Sequence, residues 1–364
     1  MASQKKVAFR VDASSDIGSG HLMRCLTLAK SLKEAGFYVL FICRNIPMHL
    51  QILVQANYNL KILKEDGNHS LIGTLAHSSW LCVSQEKDLD DSVKALQNHV
   101  WDWVVVDHYA IDHTWESKIK KNGLVKNILV IDDLADRKHF CDVLLDQNLG
   151  RECGDYAGLV AADCTLLVGP LYALVRKEFI ALRESSLLRR KSYKLKNILI
   201  TMGGVDSLNI SGQLIEALSR CMLPKDIAVT IVMGQSSNFL SEVRLAVQRS
   251  SLNARIVINA KNMGELMLEA DLCIGAAGST SWERCTLGLP AIVFCIADNQ
   301  RSVVDALSKS GVALTMQLNG NSIDPVALSN KIAEASSLSY EMTQKSAAIT
   351  DGEGARRVSF YLYR

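Results

Sequence analysis

Short, continuous apolar runs alternate along this chain with stretches whose apolar residues recur at helical spacing. "KVAFRVDA" predicts a strand, and "HLMRCLTLAKSLKEAG" a helix that stops at Gly36. "YVLFICRN" and "LKIL" predict the next strands, with "HLQILVQAN" as a helix between them. "DWVVVDHY", "NILVIDDL", "DVLLDQN" and "CTLLVGP" continue the series, joined by "LDDSVKALQNHV" and "DHTWESKIKKNG" as helices. The runs are rich in Val, Ile and Leu and do not alternate with polar residues. Strands buried on both faces have that pattern, so the expectation is a parallel sheet covered by helices. The charged stretch "ESSLLRRKSYKLK", residues 184–196, breaks the rhythm and reads as a linker. The alternation then restarts with "NILITMGG", "IAVTIVMG", "ARIVIN", "LCIGAAG" and "PAIVFCIA".

The expected organisation is therefore a Rossmann-like domain over 1–183, a linker, a second Rossmann-like domain over 197–335, and a helical tail over 336–364 that packs back on the first domain. Two doubly wound α/β domains facing each other would leave a cleft, the usual place for a ligand in such folds. A length of 364 residues fits two cores. The formal net charge of +2 leaves no electrostatic footprint for nucleic acid. No apolar run is long enough to span a bilayer, and "MASQKK" leads into a strand without an apolar signal region. Ten cysteines without a C-x-x-C pair read as buried thiols in a reducing cytoplasm.

Candidate chemistry gathers where strands end. In "DASSDIGSGH", Gly18 and Gly20 let backbone approach a ligand, and the following helix offers unpaired N–H groups to an anion such as diphosphate. The spacing is not G-x-G-x-x-G and there is no Walker lysine. His21, in the first turn beside the positive end of the helix, would stay neutral and serve as a base. His108 in "VVVDHYA" competes for that role. In "CIGAAGSTSWERC", Ser279 and Thr280 suit phosphate oxygens, and Glu283 could accept two hydrogen bonds from vicinal ribose hydroxyls, or could simply favour a helix N-terminus. Gly203 and Gly204 in "TMGGVDSLN" form a third loop of this kind, or an ordinary tight turn. Asp107, Tyr109, Asp132, Asp133, Asp146, Asn148, Asn299 and Gln300 lie at other strand ends. Arg176 follows "GPLYALV" on a helix. The paired acids lack metal-ligand spacing, so neither a metal nor another cofactor is expected.

Six ordered blocks, "RVDASSDIGSGHLMRCLTLA", "VVVDHYAID", "IDDLADRKHFCDVLLDQN", "GPLYALVRKEF", "MGGVDSLN" and "GSTSWERCTLGLPAIVFCIADNQ", carry a resemblance over almost the whole chain. Together they resemble the nucleotide-sugar hydrolase family of pseudaminic acid biosynthesis, which removes UDP from UDP-2,4-diacetamido-2,4,6-trideoxy-β-L-altropyranose. The last block is also similar to the nucleotide-binding half of the peptidoglycan N-acetylglucosaminyltransferase. The resemblance implies a GT-B fold and a metal-independent UDP-sugar hydrolase. It makes His21 the base that activates water, has Tyr109 and Asn299 orient sugar or water, and has Glu283 hold the nucleotide and Arg176 contact substrate. The expected partner is a UDP-sugar, with no nucleic acid and no membrane, for a monomer. A glycosyltransferase using the same donor, and a non-catalytic nucleotide-sugar sensor, stay open at this point.

Overall fold

The computed structural model describes residues 4–64, 73–97, 99–224, 226–235, 237–296, 300–318 and 322–363. It divides into two compact units, Met1–Leu174 with Glu353–Arg364, and Val175–Gly352.

The first unit runs β1 (Lys6–Val11), α1 (Gly20–Glu34), β2 (Tyr38–Cys43), α2 (Met48–Gln55), β3 (Asn59–Ile62), α3 (Gln85–Leu96), β4 (Trp101–Asp107), α4 (His113–Lys121), β5 (Val125–Ile131), β6 (Val143–Asp146) and β7 (Thr165–Val168). The strands form one parallel sheet in the order β3-β2-β1-β4-β5-β6-β7. Side chains of β1 alternate between two cores. Val7, Phe9 and Val11 pack with Leu22, Leu28 and Leu32 of α1, while Ala8 faces the side of Leu89, Trp115 and Ile119 from α3 and α4. This two-sided burial is why the strands read as unbroken apolar runs. Chain order reverses between β1 and β4, where Val11 lies opposite Asp107. At such a switch point the loops leaving the two strands diverge and open a crevice at the carboxyl edge.

The second unit holds α5 (Lys177–Arg189), β8 (Asn197–Thr201), α6 (Ile210–Leu218), β9 (Ala228–Met233), α7 (Leu240–Arg249), β10 (Asn253–Ile258), α8 (Met263–Glu269), β11 (Leu272–Ala276), α9 (Thr280–Thr286), β12 (Ala291–Phe294), α10 (Arg301–Lys309), β13 (Leu314–Met316), α11 (Pro325–Ser337) and α12 (Ser339–Ile349). Its parallel sheet has the order β10-β9-β8-β11-β12-β13, so its switch point lies between β8 and β11. The final helix, α13 (Gly354–Tyr363), belongs to the first unit. It buries Ala355, Val358 and Leu362 in the α1 core, and the Trp103 indole donates to the Leu362 carbonyl at 2.9 Å.

Three expectations need correction. The division falls at Leu174–Val175, not at 183, and the stretch over 184–196 is not a linker. Its first residues continue α5, and two of its arginines turn onto the second unit, Arg189 pairing with Asp271 at 2.6 Å. Arg190 is buried and donates to the carbonyls of Met267, Ala270 and Leu287, while the Ser186 hydroxyl donates to Leu287 O at 2.7 Å. Helix ends leave unpaired carbonyls, and these side chains fill them. The tail is likewise split: α12 stays in the second unit and only α13 joins the first. The short strand β13 carries no sequence signal strong enough to announce it. Among the described residues no helix is long and apolar enough to cross a membrane.

Candidate active site

The crevice beside β1 and β4 gathers the first group of polar side chains. Gly18 has φ +76°, a left-handed conformation that favours glycine, and its N–H closes a turn onto Ser14 O at 2.9 Å. Gly20 opens α1, whose N-cap Ser19 makes no side-chain cap bond. His21 and Arg24 then follow on one face of α1, three residues apart.

Both side chains meet Asp107 at the end of β4. His21 Nδ1 lies 2.6 Å from Asp107 Oδ1. Arg24 donates to the same carboxylate from Nε and Nη2, each at 2.7 Å, and from Nη1 to Asp133 at 2.5 Å. The Tyr109 hydroxyl donates to Asp133 Oδ2 at 2.7 Å. Burial alone would raise the Asp107 carboxyl, but the facing charge of Arg24, with the hydrogen bonds from Arg24 and His21, holds it well below the usual carboxylate range. An ionised carboxylate only accepts, so the proton of the neutral imidazole sits on Nδ1 and Nε2 presents its lone pair. The 3.2 Å approach of Arg24 Nη2 to His21 Nδ1 is then two donors converging on one acceptor, not a bond between them. Nε2 has no hydrogen-bond partner among the described residues.

Aromatic rings surround the imidazole. Tyr109 lies edge-on at 4.7 Å between centroids and Trp80 at 6.2 Å, and Trp80 stacks on Tyr109 at 5.5 Å. Burial, followed by the Asp133 charge, raises the Tyr109 phenol well above its ordinary range, so it remains a donor.

His108 is differently placed. Its Nδ1 accepts from Ala110 N at 3.1 Å, which puts the proton on Nε2, 3.2 Å from Asp12 Oδ2 but out of line for a hydrogen bond. The ring is buried and has no basic nitrogen to offer. Geometry thus favours His21 in the choice the sequence left open. Asp132 serves Arg137, Asp146 serves Arg151, and Tyr156 bridges the two acids at 3.0 and 2.9 Å.

In the second unit, Gly203 and Gly204 follow β8 and are exposed, Gly203 with φ +85°. The start of α6 just beyond them is already capped. Asp206 accepts from Ile210 N and Ser211 N, and Asn209 accepts from Gly212 N. The open backbone of this loop is therefore the glycine pair itself. After β11, Ser279 is exposed and Thr280 half-buried at the start of α9. Glu283 is buried beneath them, and Arg176 Nε donates to its Oε1 at 2.8 Å. Its Oε2 is buried without a partner. Burial raises the Glu283 carboxyl despite the Arg176 charge. Asn299 lies outside the described residues.

A UDP-2,4-diacetamido-2,4,6-trideoxy-β-L-altropyranose hydrolase of Campylobacter jejuni is 31% identical over 306 residues, covering 84% of this chain and 97% of the relative. This chain belongs to the family of that hydrolase. The spore coat polysaccharide biosynthesis protein SpsG of Bacillus subtilis is 20% identical over 363 residues, covering 98% of this chain and 97% of its own. The model of the glycosyltransferase family 28 C-terminal domain matches residues 197–357. Acinetobacter baumannii MurG superposes with a TM-score of 0.68 at 18% identity, and the calicheamicin glycosyltransferase CalG4 with 0.62 at 11%, each over 99% of both chains. These structural likenesses establish the GT-B fold.

Membership in the family does not by itself assign side-chain roles. The geometry adds Arg24 and gives Asp107 a partner, and it brings in His77 and Trp80, which sequence reasoning passed over. Arg24 was detectable, because it lies three residues beyond His21 in a helix. Trp80 sits in a single 3-10 turn, Ser78–Leu81, where no periodicity marks it.

Proposed function

We propose that this protein hydrolyses a UDP-linked diacetamido-trideoxy sugar, releasing the free sugar and UDP. Water attacks the anomeric carbon while the bond from that carbon to the diphosphate oxygen breaks. The water proton passes to His21 Nε2, and the electron pair leaves with UDP. Diphosphate is a good leaving group, so the scheme needs no second carboxylic acid of the glycosidase kind. In the second unit Gly203, Gly204, Ser279 and Thr280 receive the diphosphate, and the unpaired Oε2 of Glu283 accepts from a ribose hydroxyl. Arg176 balances that carboxylate.

The observation that carries the reading is the His21–Asp107 pair, with Nδ1 occupied and Nε2 free. Within its cluster two carboxylates, Asp107 and Asp133, face one guanidinium, Arg24. The missing positive charge is the one an imidazolium supplies when the proton arrives. A base so placed contributes roughly 10²–10⁴-fold, with charge stabilisation and positioning supplying the rest. The hydrolase relative and the match to the glycosyltransferase family 28 C-terminal domain pull in different directions, so sugar transfer to an acceptor is the second reading.

Turnover in heavy-oxygen water separates the possibilities. Label in the free sugar is the expected result. Label in UDP would mean attack at phosphorus, and release of UDP only on adding an acceptor would mean transfer.

A further inference from the structure

Trp80 differs from the tryptophans around it. The indoles of Trp101, Trp103 and Trp115 are buried, and each donates its N–H to an internal acceptor: Leu96 O, Leu362 O and Asp88 Oδ2. Trp80 is half-buried, and its indole N–H has no acceptor among the described residues. Leu81, next in the 3-10 turn, is buried and anchors the segment in the core. The ring is fixed by stacking on Tyr109, with His77 tilted against it at 4.4 Å. Its centroid stands 6.2 Å from that of His21.

We infer that Trp80 determines sugar specificity: its indole N–H donates to the carbonyl of the acetamido group next to the anomeric carbon. The inference rests on the hydrolase reading, which puts that carbon beside His21 Nε2. A group attached one carbon away falls within reach of a ring at this distance. An indole is apolar at its edge and carries one donor, which matches an acetamido group, with its one carbonyl acceptor and its methyl. A hydroxyl at the same position lacks the methyl and offers a weaker match. Tyr109 and His77 act here by holding the indole in place.

The test compares wild type, W80F and W80A on UDP-2,4-diacetamido-2,4,6-trideoxy-β-L-altropyranose and on its analogue with a hydroxyl beside the anomeric carbon. W80F keeps an aromatic ring, though a smaller one, and removes the donor. The expected result is a loss in kcat/KM on the order of 10–100-fold on the acetamido substrate, little change on the hydroxyl analogue, and unchanged inhibition by UDP. Equal kcat/KM in the three proteins overturns the inference. So does a loss that is the same for both substrates, or one that comes with weaker UDP binding, since a structural role would do that. Should wild type turn over neither compound, the hydrolase reading fails, and saturation-transfer NMR with the acetamido compound decides the role of Trp80. Acetyl-methyl saturation present in wild type and lost in W80A supports it; saturation absent in wild type, or retained in W80A, overturns it.

Discussion

Two buried ion clusters sit within one sheet of this protein, and they differ in completeness. In the first, Arg10 and Arg44 face Asp12 and Asp88. Arg10 clamps both acids at 2.7–3.1 Å, Arg44 adds two contacts to Asp88, and the Trp115 indole completes the Asp88 shell. Arg44 also reaches Asp91 at 3.2 Å, but Lys87 pairs that acid at 2.9 Å, so charges balance, and the four central side chains are all at most 2% exposed. In the second, Asp107 and Asp133 face Arg24, and His21 stands at the edge with one nitrogen unused. Buried charge alone therefore does not mark a reactive site. A closed cluster specifies packing, while a cluster one positive charge short can take up a proton.

The comparison breaks most sharply at His21. H21A is expected to lower kcat by about 10²–10⁴-fold with the thermal midpoint and UDP affinity nearly unchanged; steady-state kinetics and calorimetry measure both. D88A attacks the closed cluster instead, leaving two guanidinium groups short of a partner. Its expected cost is about 3–5 kcal/mol of stability in urea unfolding, with activity per folded molecule retained. If D88A abolished turnover in fully folded protein, the division between the two clusters would be wrong.

D107N keeps the shape of the partner but allows the imidazole to turn or change tautomer. A loss on the order of 10²-fold in kcat is expected, with KM held. Glu283 sharpens a different contrast, between the proposed proton-transfer cluster and the loops proposed to hold the nucleotide. E283A should raise the Kd for UDP about tenfold, the loss of one charge-assisted hydrogen bond, and leave kcat at saturation close to wild type. Titration calorimetry reads it directly, and a kcat defect at unchanged UDP affinity would reverse the assignment.

The smallest effect concerns Asp146. Burial first, and then the Asp133 charge, push its carboxyl up to about 7. The geometry agrees, since the single Tyr156 proton lies between two carboxyl groups and cannot satisfy both when they are ionised. The folded protein thus holds a proton here that the unfolded chain, with a carboxyl near 3.8, has released. Between these values the native state binds more protons, so this group's contribution to stability falls as pH rises from about 4 to about 7 and is constant above. D146N should remove that slope. Urea midpoints of wild type and D146N across this range give the difference directly, and parallel curves would exclude the shifted carboxyl.

Some of this was readable in advance. The run "WDWVVVD" announces a strand buried on both faces, and "DIGSGH" places a histidine where a strand hands over to a helix. The glycine loops after β8 and β11 were equally visible. The stretch 184–196 misled because most of its charges do face solvent, as in a linker, while its first residues continue α5 and the buried Arg190 donates to carbonyls of residues more than seventy positions away.

Local pattern by itself determined the alternation of strands and helices, the parallel character of both sheets and the positions of the loops, because burial on two faces and helical periodicity are properties of neighbouring residues. Only the tertiary structure decided that His21 meets Asp107 across 86 positions of chain, that His108 is sealed against Asp12, and that Trp80 reaches the same crevice. Strand order sets those meetings. It follows from the packing of whole helices on a sheet, which no short window of sequence contains.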